Sequence, residues 1–104
     1  MEEGTESREL KDLIVRDLEL RKEENILTED DQGEIIVRLT EIINRLLAKD
    51  YHRLVNAMYR LDINEKLFRE AISGMHSPNV ASRLAELVLN REKEKIEMRK
   101  KYKS

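Results

Sequence analysis

The chain has 104 residues, with no Cys, three Gly and one Pro. That is enough for one domain with a core of its own, and it excludes disulfides, thiol chemistry and Cys-ligated zinc. Charged residues make up 40% of the chain, yet the formal net charge is only −2, so the distribution of charge says more than its total. Residues 1–34 carry thirteen acids and five bases, whereas residues 91–104 carry three acids and seven bases. The chain therefore runs from an acidic start to a basic end. Its longest apolar runs, such as Leu13–Val15 and Ile35–Val37, are three residues long; a membrane-spanning helix needs about 20. The opening MEEGTES is acidic and lacks the basic start and apolar stretch of an export signal. No membrane association and a cytoplasmic location are the corresponding expectations.

Scarce Gly and Pro among abundant Leu, Ile, Glu, Lys and Arg predict helix almost throughout. We expect a single all-α domain, 1–104, built as a bundle of five helices at about 7–24, 30–49, 51–61, 63–73 and 78–100, with 1–6 and 101–104 frayed. The first helix carries a narrow stripe of Leu10, Leu13, Ile14 and Leu18, with Val15 and Leu20 off its line. Thr28 and Asp31 have capping-box spacing ahead of the second helix. That helix has the widest apolar face in the chain: Ile35, Ile36, Leu39, Ile42, Ile43, Leu46 and Leu47. Glu34–Arg38 and Glu41–Arg45 lie opposite, as i,i+4 pairs. Asp50 is the expected cap of the third helix, with Tyr51, Leu54, Val55 and Met58 inward. Asp62 and Glu65 have the spacing to open the fourth, whose core face is Leu67, Phe68, Ala71 and Ile72, with Gly74 as its stop. Three of the four aromatics fall in residues 51–72, which makes this stretch the expected centre of the core. Ser77 and Pro78 then suit the start of a long fifth helix. Its apolar pattern thins after Leu89 to Ile96, Met98 and Tyr102.

Few residue patterns here can carry chemistry. His52 and His76 lie far apart in sequence and fit no ligand motif. Glu29, Asp30 and Asp31 lack the alternation and the Gly of a calcium loop. Ser73, His76 and Ser77 are neighbours in sequence, but adjacency does not make a triad and capping explains Ser77. The three Gly are isolated, so no phosphate-cradling loop exists. The expectation is a non-enzyme without cofactor or metal. Arg60 and Asp62, inside the aromatic stretch, form with Arg91 a candidate structural polar cluster that sets helix register or caps a neighbour.

Two kinds of contact remain. The thin stripes on the terminal helices suggest apolar surface shared with a partner, through Leu10, Leu13, Ile14 and Leu18 on the first helix and Ile96, Met98 and Tyr102 on the last. Alternatively, Arg99, Lys100, Lys101 and Lys103 could meet nucleic-acid phosphates, with Tyr102 available for stacking. Against that, Glu92, Glu94 and Glu97 interleave with the bases, and helix C-termini favour cations anyway.

The segment MYRLDINEKLFREAI, followed by ASRLAELVLNREKEKIEMRKKY, resembles small, wholly helical bacterial proteins of unknown function. The shared features, within residues 58–102, are a YRLD-type turn before a helix and a last helix whose apolar run passes into Arg, Glu and Lys. The resemblance implies an all-α fold and a bacterial cytoplasmic origin, and no activity. The functional expectation is a helical protein–protein interaction module or small adapter that associates with itself as a homodimer or with another protein. The alternative is an accessory nucleic-acid binder using the basic last helix.

Overall fold

The computed structural model describes residues 2–28, 31–73 and 79–103, with side chains from residue 6 to residue 102. Helix α1 spans Glu2–Asp17, so it begins before the expected start and ends about two turns early. Its stop lies in backbone chemistry rather than in a Gly. Glu19 takes a left-handed φ of 52°. Its N–H donates to Arg16 O, and the Leu20 N–H donates to Val15 O. This is the paired hydrogen-bond pattern of a Schellman cap. Val15 and Leu20, off the main stripe in sequence, occupy the two positions where that motif sets an apolar contact, and both pack against the core. A short 3-10 turn at Lys22–Glu24 follows.

Helix α2, Gln32–Lys49, is capped by Asp31, whose carboxylate accepts from Glu34 N at 2.8 Å. The N-cap is thus Asp31 and not Thr28. Gly33 leaves room for it, since a Cβ there would meet Asp31 Oδ1 at 3.3 Å. Asp50 caps α3, Tyr51–Arg60, as expected. α3 then ends in a second Schellman cap: Asp62 has φ 57°, and the Asp62 and Ile63 N–H groups donate to Tyr59 O and Met58 O. Asp62 therefore closes α3 and does not open α4, Glu65–Ser73. Asn64 does that, accepting from Lys66 N and Leu67 N. Helix α5 runs unbroken over Val80–Lys103. The expected stop at Gly74, the Ser77–Pro78 start and His76 lie outside the described residues.

The core is organised around α5, which packs against α2, α1 and α4, while α2 also carries α3. Leu84, Ala85, Val88, Leu89 and Ile96 of α5 meet the broad face of α2 and the stripe of α1 in one buried cluster. The aromatic stretch is not the centre. Tyr51, Tyr59 and Leu67 are exposed, Phe68 is half-buried, and Ala71 is the buried residue of α4. A short amphipathic helix at the edge buries only its innermost positions, and the aromatics of α3 fall outside them. Among the described residues no helix is long and apolar enough to cross a membrane.

Both left-handed caps are occupied by residues with a Cβ, which strains them. Glu19→Gly is expected to raise stability by about 0.5–1 kcal/mol, because strain relief exceeds the entropy that Gly adds to the unfolded chain. Asp62→Gly should gain less, since Asp tolerates this region better. Urea midpoints with unchanged slope are the check.

Candidate interaction surface and a buried carboxyl cluster

The C-terminal ends of α1 and α3 leave carbonyls without intrahelical partners, and cations from other elements meet them. Arg60 Nη1 donates to Asp17 O at 2.8 Å, and Arg91 Nε donates to Leu61 O at 2.8 Å. Arg53 Nη1 donates to Glu19 O at 3.0 Å. The same Arg53 grips Glu24 with two bonds of 2.8 and 2.6 Å and Asp50 Oδ2 with a third of 3.1 Å. That grip, with the Arg21 N–H, holds the Glu24 carboxyl down at about 2. The long connection between α1 and α2 is thereby pinned to α3.

Of the expected polar cluster of Arg60, Asp62 and Arg91, the two arginines meet the C-terminal ends of neighbouring helices. Arg60 serves α1 through Asp17 O and pairs with Glu19 at 3.0 Å. Arg91 serves the α3 terminus and pairs with Glu94 at 3.0 Å. Asp62 contributes a backbone conformation. The buried ionic cluster lies beside them and involves residues that the sequence reading passed over. Asp17, the last residue of α1, and Glu92, mid-way along α5, are both fully buried. Lys95 Nζ reaches Asp17 Oδ2 at 2.9 Å and stands 3.5 Å from Glu92 Oε1. Arg16 Nε binds Asp17 Oδ1 at 3.2 Å. Burial pushes Asp17 up, but hydrogen bonds from Glu92, Lys95 and Arg16 outweigh it and hold the carboxyl below its ordinary range. Burial, then the hydrogen bond to Asp17 and its charge, push Glu92 up to about 8. In sequence Glu92 is one more acid in a charged run; only the packing of α1 on α5 makes it different.

The outer surface gathers around the turn between α3 and α4. Six large apolar side chains are exposed among the described residues, and four of them line three adjoining grooves there. A groove of about 200 Å³ between α3 and α4 is lined by Val55, Met58, Tyr59, Ile63 and Phe68, with Glu65 and Arg69 at its rim. Ile63 also borders a second groove of about 350 Å³, with Leu67, Leu87 and Arg91. Asp62 and Arg91 join that groove to a third of about 340 Å³, which includes Arg60, Lys95, Met98, Arg99 and Tyr102. Tyr59 is 72% exposed, Leu67 46%, Met98 48% and Tyr102 86%.

The partner contacts expected from the terminal stripes divide accordingly. Leu10, Leu13, Ile14, Leu18 and Ile96 are buried in the chain's own core, because α1 lies on α5 and their thin stripes face each other. They are closed to a partner in this fold. Met98 and Tyr102 are open. Of the basic residues, Arg99, Lys100 and Lys101 are exposed on the last turns of α5, while the Lys103 side chain lies outside the described residues. His52 is exposed on α3. Among the described residues no group of His, Asp and Glu is arranged to hold a metal ion. Tyr59 and Leu67 are exposed surface residues that the sequence did not mark for contact: Tyr59 lies off the stripe of α3, and Leu67 was expected on the core face of α4; Ile63, in the turn between them, is half-buried.

No protein-family model, curated protein or solved structure matches the chain.

Proposed function

We propose that the chain is a non-enzymatic helical interaction module that associates with a second copy of itself through the surface around Asp62 and Ile63. One observation carries this: Tyr59, Leu67, Met98 and Tyr102, exposed on three different helices, line grooves that share that turn. Large amphipathic aromatics clustered on a grooved surface have the composition of interface centres. The charges around them support a second copy as the occupant. A two-fold interface uses the same patch twice, so the patch must supply both signs. This one does, with Asp62, Glu65 and Glu94 beside Arg69, Arg91 and Arg99. A cytoplasmic, bacterial setting belongs to the same reading, supported by the lack of Cys and by the sequence resemblance.

Sedimentation equilibrium tests it. The mass of the wild type should rise with concentration toward twice the chain mass. Tyr59→Ser and Tyr102→Ser, both at exposed positions, should weaken association about tenfold or more, which corresponds to about 1.4 kcal/mol. A wild type that stays monomeric at every concentration overturns the reading. A second reading, nucleic-acid binding by the end of α5, rests on the exposure of Arg99, Lys100 and Lys101 beside Tyr102. It requires affinity that falls steeply with salt and weakens in Arg99→Ala and Lys100→Ala.

A further inference from the structure

Among the described residues, Asp17 and Glu92 are the buried charged side chains, and their cluster at the α1–α5 seam is badly balanced. Among the described residues, the two Glu92 carboxyl oxygens have no hydrogen-bond donor directed at them. Lys95 directs its hydrogen bond to Asp17 and stands at 3.5 Å from Glu92. A buried carboxylate without donors is costly. The hydrogen bond that suits Glu92 here is one in which its own O–H donates to the Asp17 carboxylate beside it. So arranged, the cluster is one cation, one anion and one neutral acid. Without that proton it becomes two facing anions sharing Lys95, at the C-terminal end of α1, where the helix dipole already disfavours negative charge.

The other packed elements offer Glu92 no rescue. From α1, Asp17 faces it, and Arg16 is spent on Asp17. From α3, Arg60 is spent on Asp17 O and Glu19. The buried residues of α2 are Ile35, Leu39, Ile42, Ile43 and Leu46, and α4 buries Ala71, with its charged Glu65, Lys66, Arg69 and Glu70 exposed. On α5 itself, Lys95 is the cation that faces it.

We propose that Asp17, Glu92 and Lys95 form a proton-operated latch that holds the end of α1 on α5 while Glu92 is protonated and releases it when that proton is lost. The device lies in the α1–α5 seam and adjoins the self-association surface, since Lys95 also borders the third groove; it does not depend on self-association. Its direction follows from linkage. The Glu92 carboxyl titrates higher in the folded chain than in the unfolded one, at about 8 against 4.5. Its contribution is fully present below 4.5 and is lost as pH rises through about 8. Asp17 works the other way: held below 3.8 in the fold, it contributes above that value and loses its contribution as pH falls through its lowered folded one.

Native-state hydrogen exchange on the full chain, corrected for intrinsic rates, tests the latch at about pH 6 and about pH 9. In the wild type, protection of the α1 amides from Ile14 to Leu18 should fall about tenfold or more at the higher pH, while the α2 amides from Leu39 to Leu46 hold theirs. Glu92→Gln, which keeps a donor for Asp17 and cannot ionise, should show no such fall. Equal loss in α1 and α2, no loss in α1, or the same loss in Glu92→Gln would each overturn the latch. Should that variant fail to fold, the carbon-13 titration of the Glu92 carboxyl in the wild type decides: a midpoint near 8 supports the latch, and one near 4.5 overturns it.

Discussion

Lys95→Met should lower the stability of the chain by about 3–5 kcal/mol near neutral pH, the range for removing one partner of a buried charge pair. Lys95 is the cation closest to a carboxylate that is almost without solvent, at 2.9 Å from Asp17 Oδ2. Met retains the length and packing of the lysine stem, so the loss reports the charge rather than a cavity. Arg16 still touches Asp17 but is itself well exposed, and water screens most of what it offers. The contrast is Arg69→Ala. That residue pairs with Glu65 at a shorter 2.6 Å, yet both side chains stand mostly in solvent, and its removal should leave the urea midpoint nearly unchanged. Urea unfolding followed by circular dichroism separates the two. A Lys95→Met loss no larger than that of Arg69→Ala would mean that Asp17 is not charged in the seam.

Leu84→Ala should cost about 2–5 kcal/mol, the range for emptying a packed leucine site. Leu84 is fully buried on α5, the helix that packs against α1, α2 and α4. A void there loses contacts on several sides at once, and rigid helices close it poorly. Leu67→Ala removes the same atoms from a half-exposed site on α4 and should stay within about 0.5 kcal/mol in the monomer. Thermal or urea unfolding of the two variants side by side checks the difference. If the two losses were alike, α5 would not be the centre of the core.

The helices themselves were legible because the information for them is local. The periodic face of α2, the Asp50 cap and the abrupt thinning of α5 after Leu89 are all read within one or two turns of chain. Misplaced caps at Thr28 and Asp62 had a local cause too: several acids and amides stand in a row, and side-chain spacing cannot say which one turns its oxygen onto the free N–H groups. Of the surface now proposed for contact, Met98 and Tyr102 were readable as stranded apolar residues. Tyr59 and Leu67 were not, since a short helix with apolar residues on two sides does not say which side faces in.

By itself, the sequence determined an all-α chain of five main helices, a broad apolar face on α2, and a composition without thiol chemistry. Periodicity and propensity act between neighbours along the chain, and those neighbours are all visible in sequence. The tertiary structure alone decided that α5 is the centre, that Leu10, Leu13, Ile14 and Leu18 are spent inside the molecule, and that Glu92 differs from Glu94 and Glu97. Each of those outcomes depends on what lies across a packing seam. Asp17 and Lys95 are 78 positions apart, and nothing in the spacing of either helix sets the rotation at which the two meet.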